Sequence, residues 1–124
     1  MKKGVVITTD NKVYPVELSE PLFQGAKEIL GGYMEHVWPG GLKRPYCLLC
    51  NEEGLLMGLP MNAYGSFLYR TQIHGSPIVG NIIIMKDGYE NGEPDIVGLS
   101  DEEAAEISKQ ATDWIKSFGG GDES

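Results

Sequence analysis

Apolar and polar residues alternate over short runs near the N-terminus, a pattern that predicts paired strands. Gly4–Thr9 and Val13–Leu18 are rich in β-branched residues, and Asp10-Asn11 lies between them. Two such runs around an Asp-Asn turn predict a β-hairpin. Pro15 has no backbone N–H to donate, so the second strand is expected at an edge of the sheet or bulged there.

Three further segments predict strands, separated by loops. Tyr33–Trp38 alternates, Tyr46–Cys50 is apolar, and Ile78–Met85 has the strongest strand pattern in the chain. The acidic, glycine-containing stretch Asp87–Asp95 is predicted to be a solvated hairpin loop before a brief return to strand at residues 96–97. Met61–Gly75 follows neither the helical nor the strand period and is predicted to be irregular.

A first helix is predicted between the second and third strands. Ser19 is expected to cap it, Pro21 falls in its first turn, and Gly31-Gly32 ends it. One face of this helix is apolar and carries Leu22, Ala26, Ile29 and Leu30.

A second helix is predicted near the C-terminus. Ser100 and Glu103 have the spacing of a capping box, and acidic residues fill the first turn, where the helix dipole favours them. Apolar residues then recur every three or four positions, at Ala104, Ile107, Ala111, Trp114, Ile115 and Phe118. The sequence therefore predicts one α+β domain over residues 1–118, with a five- or six-stranded antiparallel or mixed sheet, an early helix and a C-terminal amphipathic helix. Residues 119–124 are predicted to be a disordered tail.

Composition and charge exclude several classes of protein. The chain has 124 residues, of which 41% are hydrophobic, and a net charge of −8. Residues 85–124 carry eleven acidic and three basic side chains, which accounts for the whole excess. Without a basic cluster, direct binding to DNA or RNA is disfavoured. No apolar run approaches the roughly 18 residues of a membrane helix or the length of a secretory signal, so a cytoplasmic protein is expected.

The two cysteines, Cys47 and Cys50, have the Cys-x-x-Cys spacing of redox and zinc motifs. They lie in a predicted strand, where residues three apart face opposite sides of the sheet. A zinc site would need two more ligands, and only His36 and His74 could supply imidazole. We therefore expect two structural cysteines, a partly covered edge histidine at position 36, and no metal or cofactor.

The irregular segment collects the candidate ligand-binding residues. Functional side chains concentrate on irregular segments held by a rigid sheet, arginine can bind phosphate, and tyrosines can stack on a flat ring. The candidates are Asn62, Tyr64, Ser66, Tyr69, Arg70, Gln72 and His74. They predict a site for a small anionic, nucleotide-like ligand, with a polar surface loop or a contact in a homo-oligomer as the alternatives.

The motifs do not support catalysis. A hydrolase could be drawn with Ser66 as nucleophile and His74 as base, but Ser66 lacks the second glycine of the Gly-x-Ser-x-Gly turn. No glycine-rich loop has phosphate-binding spacing. We therefore predict a non-enzymatic binding protein without catalytic residues, and rank the hydrolase last.

The acidic C-terminal third offers a second hypothesis. Glu102, Glu103 and Glu106 form an acidic face on the last helix, and Asp87–Asp95 adds further carboxylates. Such a surface suits a basic host protein, which the chain would inhibit as an acidic decoy. The simpler interpretation is that these charges are the solvated side of an amphipathic helix.

Three short motifs, in this order along the chain, resemble a known family. They are Gly31-Gly32-Tyr33-Met34-Glu35, Asn51-Glu52-Glu53-Gly54 and Gly58-Leu59-Pro60-Met61-Asn62. The family consists of small phage and mobile-element proteins known only as a domain of unknown function, and the likeness covers most of residues 4–118. Tyr64–Gly75 is longer here than in the family pattern. The resemblance implies a setting of host–phage conflict, in which such a protein occupies a host defence protein or the nucleotide signal of that defence.

Overall fold

The computed structural model describes residues 1–70, 73 and 75–118, which contain six strands and three helices. In chain order these are β1 (Lys2–Ile7), β2 (Val13–Leu18), α1 (Leu22–Leu30), β3 (Met34–Val37), β4 (Tyr46–Asn51), α2 (Ala63–Tyr69), β5 (Ile82–Glu90), β6 (Glu93–Val97) and α3 (Asp101–Ser117). The predicted α+β class is confirmed, with six strands in one sheet.

Every strand pair in the sheet is antiparallel, and the strand order is β2-β1-β5-β4-β3. β6 pairs with the second half of β5, along the same edge of β5 that pairs with β1 in its first half. Lys86 of β5 therefore faces Tyr46 of β4 on one side and Val97 of β6 on the other. β2 lies at an edge of the sheet, as Pro15 predicts, because a missing N–H is tolerated there.

Helices cover both faces of the sheet and create two apolar cores. α1 packs on one face, where Ala26 and Leu30 share a core with Ile83 and Met85. α2 and α3 pack on the other face, in the core that contains Ile82 and Ile84. The run Ile82–Met85 is fully buried because alternate side chains of β5 enter alternate cores.

The start of α1 differs from the prediction. The helix begins at Leu22, its N-cap is Pro21, and no side chain caps it. Ser19 instead lies against the flank of the helix, since a Cβ on Gly25 would come within 2.4 Å of the Ser19 carbonyl oxygen. Gly25 thus permits the close packing of chain and helix, and the predicted Ser19 cap is wrong.

The predicted solvated hairpin at Asp87–Asp95 is present, and residues 89–95 are exposed, but most of the stretch belongs to paired strands. β5 continues to Glu90 and β6 begins at Glu93, so Asn91 and Gly92 alone form the turn. Both turn residues have positive φ, 54° and 81°, as in the two-residue turns whose twist matches that of paired strands. The predicted loop was too long, because charge and glycine content were weighed above the Asn-Gly turn signal.

The irregular segment contains a helix that the prediction missed. α2 spans seven residues, and its N-cap is Asn62, whose side chain accepts a hydrogen bond from the Gly65 N–H. Tyr64, Ser66 and Leu68 are all buried, so two turns of helix with apolar and polar side chains facing inward leave no clear period.

The C-terminal helix begins as predicted. The Ser100 hydroxyl accepts from the Glu103 N–H at 3.0 Å, and the Glu103 carboxylate accepts from the Ser100 N–H at 2.8 Å. Within the described part of the chain, no helix combines the length and apolar character needed to cross a bilayer. The predicted tail at residues 119–124 lies outside the described residues.

Candidate functional site

The sheet face that carries α1 has an open end, and a cleft of about 630 Å³ lies there over β3, β5 and β6. Its lining includes His36, Trp38, Arg44, Asp87, Tyr89 and Asp95. The volume falls within the roughly 300–1,000 Å³ of small-ligand pockets. We call it the Asp87 cleft.

Three adjacent strands bring His36, Cys47 and Asp87 together on one face of the sheet. His36 of β3 pairs with Leu49, two residues from Cys47 in β4, and Cys47 pairs with Met85, two residues from Asp87 in β5. Residues two apart in a strand share a face, so all three side chains point to the α1 side. They lie on a diagonal, the arrangement in which long side chains of neighbouring strands meet.

The Asp87 carboxylate is held by groups on both of its oxygens. Trp38 Nε1 donates to Oδ2 at 2.5 Å, and Arg44 Nη1 lies 3.9 Å from the same oxygen. His36 Nε2 lies 3.0 Å from Oδ1, yet this buried nitrogen makes no well-aligned hydrogen bond with any described residue. The carboxylate is therefore fixed in position, with Oδ1 close to the imidazole nitrogen of His36.

Cys47 is the buried member of this cluster. Its side chain is fully buried, and burial, reinforced by the neighbouring Asp87 charge and a hydrogen bond to that carboxylate, raises the pKa of the thiol to about 12. The thiol is thus protonated at neutral pH and is not a free nucleophile. His36, Cys47 and Asp87 each offer one ligand atom, and these three atoms lie within 4.8 Å of one another.

Aromatic rings line the mouth of the cleft. The Trp38 side chain is 47% exposed and that of Tyr89 is 75% exposed. The Arg44 guanidinium lies 5.5 Å from the centre of the Trp38 ring. The centre of the His36 ring lies 4.2 Å from that of Trp38. The cleft therefore combines a fixed polar floor with open aromatic surface.

Comparison with known protein families assigns the chain to one of them. The model of the family described as Domain of unknown function (DUF3846) matches residues 1–112. The chain belongs to this family. No curated protein and no solved structure matches it. The match includes every residue of the Asp87 cleft, and the phage or mobile-element origin implied by the resemblance stays a prediction.

In this DUF3846 protein, Asn62 serves the fold. It is fully buried, and its Nδ2 donates to the carbonyl oxygens of Ile7 and Gly80, each at 2.9 Å. Its Oδ1 accepts from the Gly65 N–H at 2.9 Å. The amide thus caps α2 and ties it to β1 and to the chain entering β5, and these contacts leave it facing the core.

Ser66 and Tyr64 are also turned inward. The Ser66 hydroxyl accepts from the Ile78 N–H at 3.0 Å and donates to the Ile78 carbonyl oxygen at 3.2 Å. Tyr64 lies in the core of α2 and α3, with its ring centre 5.4 Å from that of Trp114. A hydroxyl held on both sides by backbone is unsuited to the role of nucleophile that the hydrolase hypothesis gives it.

The other predicted ligand residues are scattered. Tyr69 is partly buried against the core. Arg70 is exposed at the C-cap of α2, where its Nη2 donates to the Gly40 carbonyl oxygen at 3.3 Å. Gln72 and His74 lie outside the described residues. A ligand-binding role for this segment stays a prediction.

The acidic surface is partly neutralised within the fold. Both oxygens of Glu103 accept from Lys86 Nζ, at 2.9 and 3.0 Å. The hydrogen bond from the Ser100 N–H and, after it, that from Lys86 lower the pKa of the carboxyl. Asp95 lies 3.6 Å from the buried ammonium of Lys2. Glu102 and Glu106 stay exposed, so a basic partner would meet a smaller acidic face than the sequence implies.

Cys47 and Cys50 enter opposite cores, as predicted for residues three apart in a strand. Burial also raises the pKa of Cys50 to about 12. The residues that the sequence did not single out are Trp38, Arg44, Asp87 and Tyr89. The Asn-Gly turn could have found two of them, because a hairpin around it places Asp87 and Tyr89 on the face of Met85.

Proposed function

We propose that this DUF3846 protein is a binding protein that holds a small nucleotide-like ligand in the Asp87 cleft and does not transform it. The observation that carries the proposal is the fixed Asp87 carboxylate, bound by Trp38 at 2.5 Å, at the floor of a cleft with exposed aromatic rings. A flat ring such as a nucleobase gains from stacking on such surfaces, and its amino groups can donate to a fixed carboxylate.

Arg44 supports a ligand with an anionic group. Its side chain is largely exposed and is attracted to Asp87 and to the Trp38 ring, which position it at the mouth of the cleft. From there the guanidinium can form paired hydrogen bonds with a phosphate. The proposal therefore keeps the ligand class predicted from the sequence and moves its site from residues 62–74 to the cleft.

Holding rather than transforming the ligand fits the chemistry of the described side chains. The thiol of Cys47 is neutral and buried, and the Ser66 hydroxyl is bonded to backbone on both sides. Capture of a nucleotide signal would suit an inhibitor of host defence carried by a phage or mobile element.

The test is a thermal-shift panel of nucleosides, mononucleotides, cyclic oligonucleotides and ADP-ribose. A ligand at a hundred times its Kd stabilises the folded state by about 2.7 kcal/mol, a rise of several degrees for a domain of this size. The ligand is then recovered after heat denaturation, and an unchanged ligand is expected. A flat response to the whole panel contradicts the proposal and moves the case to a basic protein partner; an altered ligand contradicts binding without turnover.

Matched variants locate the site. Trp38→Ala should weaken binding by roughly 1–3 kcal/mol, the contribution of one stacked base, and Asp87→Asn should weaken it by removing the charge at the floor. Tyr33→Ala is the control, because Tyr33 is a similarly exposed aromatic residue just before the opposite end of β3. Equal affinity in all three variants would place the ligand elsewhere.

A further inference from the structure

We propose that the floor of the Asp87 cleft binds one zinc-type divalent ion through His36 Nε2, Cys47 Sγ and Asp87 Oδ1. The inference deepens the proposed function, since it concerns the same cleft. Only the role of the ion in holding the ligand rests on the proposed function; binding of the ion does not. The sequence indicated no metal because the two cysteines were considered as a pair, whereas the sheet separates them and joins Cys47 to residues of two other strands.

The donor atoms match the chemistry and the size of a zinc site. Zinc in proteins is bound by thiolate, imidazole and carboxylate, and its four ligands form a tetrahedron. Metal–ligand bonds of about 2.0–2.3 Å place the ligand atoms of such a tetrahedron roughly 3.2–3.6 Å apart. His36 Nε2 and Asp87 Oδ1 are 3.0 Å apart, and all three ligand atoms lie within 4.8 Å of one another. Small side-chain rotations therefore bring them to coordinating distance.

The buried nitrogen of His36 is the second observation that indicates an ion. His36 Nε2 is screened from solvent and has no aligned hydrogen-bond partner among the described residues, although an anionic oxygen lies next to it. A buried polar atom without a partner carries a free-energy penalty, which a shared cation between nitrogen and oxygen would remove.

The surroundings of Asp87 resemble the outer shell of a metal site. Ligating carboxylates are usually hydrogen-bonded through the oxygen that does not face the metal. Here Oδ1 faces His36, while Oδ2 accepts from Trp38 Nε1 and has Arg44 nearby. Oδ1 is thus placed to bind an ion, while Oδ2 is held by the hydrogen bond from Trp38.

The ion would change the charge of the cleft. Its binding displaces the thiol proton of Cys47 to solvent, so the thiolate and the Asp87 carboxylate together balance a divalent cation. Three protein ligands leave the fourth position of the tetrahedron open to water or to a group of the bound ligand. The ion and its two anionic ligands are then neutral together, so the loaded cleft is less negative than the empty one, and Arg44 at the mouth can pair with the anionic group of a nucleotide-like ligand.

The test is a titration of the chelator-treated protein with Co²⁺, followed by displacement with Zn²⁺. We expect one equivalent per chain and the near-ultraviolet absorption of a thiolate-to-cobalt bond. Cys47→Ala should lose this absorption, while Cys50→Ala, its buried counterpart in the other core, should keep it. Binding of no metal, or loss of the absorption in both variants, overturns the inference.

Two further variants keep the test decisive if Cys47→Ala does not fold. His36→Gln should weaken zinc binding by more than about a hundredfold, and Trp38→Phe, which removes the hydrogen bond to Oδ2 and keeps a smaller aromatic ring, by about 10–100-fold. Unchanged affinity in His36→Gln overturns the site.

The nucleotide panel is run on chelator-treated and on zinc-loaded protein, so the two proposals fail separately. Nucleotide binding without metal binding overturns this inference and leaves the proposed function standing. Metal binding with a flat panel supports the inference and overturns the proposed function.

Discussion

The segment of residues 62–70 and the Asp87 cleft hold similar side chains, and they use them in opposite ways. In the segment, the amide of Asn62 and the hydroxyl of Ser66 are bonded to backbone groups of β1 and of the chain entering β5. In the cleft, polar atoms of three strands meet with one imidazole nitrogen unpartnered among the described residues. The polar residues close in sequence thus stabilise the fold, whereas those brought together by strand pairing line the cleft to which we assign the ligand.

The largest expected effect is a loss of stability in the variant Asn62→Ala. The variant removes an N-cap and leaves the carbonyl oxygens of Ile7 and Gly80 buried without this donor. We expect a loss of about 3 kcal/mol in the free energy of unfolding, or roughly 10 °C in Tm. Chemical denaturation measures it. A loss of ligand affinity with unchanged stability would reverse the roles of the two regions.

The sheet and the outer helices could be predicted from the sequence because each depends on local signals. The β1–β2 hairpin, the glycine that ends α1 and the Ser100–Glu103 capping box all appeared where their residues indicate. α2 could not be predicted, because two turns of helix buried on several sides have no clear period. The helix is also anchored by Asn62 contacts with Ile7 and Gly80, 55 and 18 residues away, which no local pattern reveals.

The cleft could be predicted only in its parts. His36 was expected to be a partly covered edge histidine, and Cys47 to be buried. Their approach to Asp87 depends on the order β5-β4-β3, which residue spacing within one strand does not reveal. A site assembled across three strands needs the pairing register, and one sequence does not supply it.

The next effect concerns the turn that carries part of the cleft. Gly92→Ala places a side chain at a φ of 81°, while no described atom lies within 4 Å of the added carbon, so only backbone strain changes. We expect a loss of about 1–2 kcal/mol in the free energy of unfolding. Gly75→Ala, also at positive φ and also open, is the control for a glycine away from the cleft. We expect Gly75→Ala to bind the ligand as tightly as the unmodified protein. Gly92→Ala should bind it more weakly, because the hairpin positions Tyr89 at the cleft.

A smaller effect on stability is expected from the ion pair on the other face of β5. Lys86 pairs with Glu103 on the face opposite its neighbour Asp87. The pKa of Glu103 is lowered in the folded protein, so its charge stabilises the fold fully above the ordinary glutamate pKa. The contribution is lost as the pH falls through the lowered, folded-state pKa.

Glu103→Gln tests this pH dependence, since glutamine can keep the capping contact and removes only the charge. At neutral pH we expect the variant to be less stable by about 0.5–1 kcal/mol. The difference should shrink below the ordinary glutamate pKa and vanish in stronger acid. Glu102→Gln, exposed in the same turn, is the control. Denaturation at several pH values measures both, and a difference that grows in acid would contradict the assignment. Zinc and ligand binding should be unchanged in Glu103→Gln.

The smallest expected effect decides the comparison most directly. Arg70 is the exposed cation of the segment, and its bond to the Gly40 carbonyl oxygen lies at the surface. Arg70→Ala should therefore change the free energy of unfolding by less than about 0.5 kcal/mol, as for most surface substitutions. If the ligand is held by the Asp87 cleft, its affinity is unchanged in Arg70→Ala and reduced in Arg44→Ala, two arginines matched in exposure. The opposite result would return the ligand to the segment that the sequence first indicated, because the phosphate would then be held at Arg70.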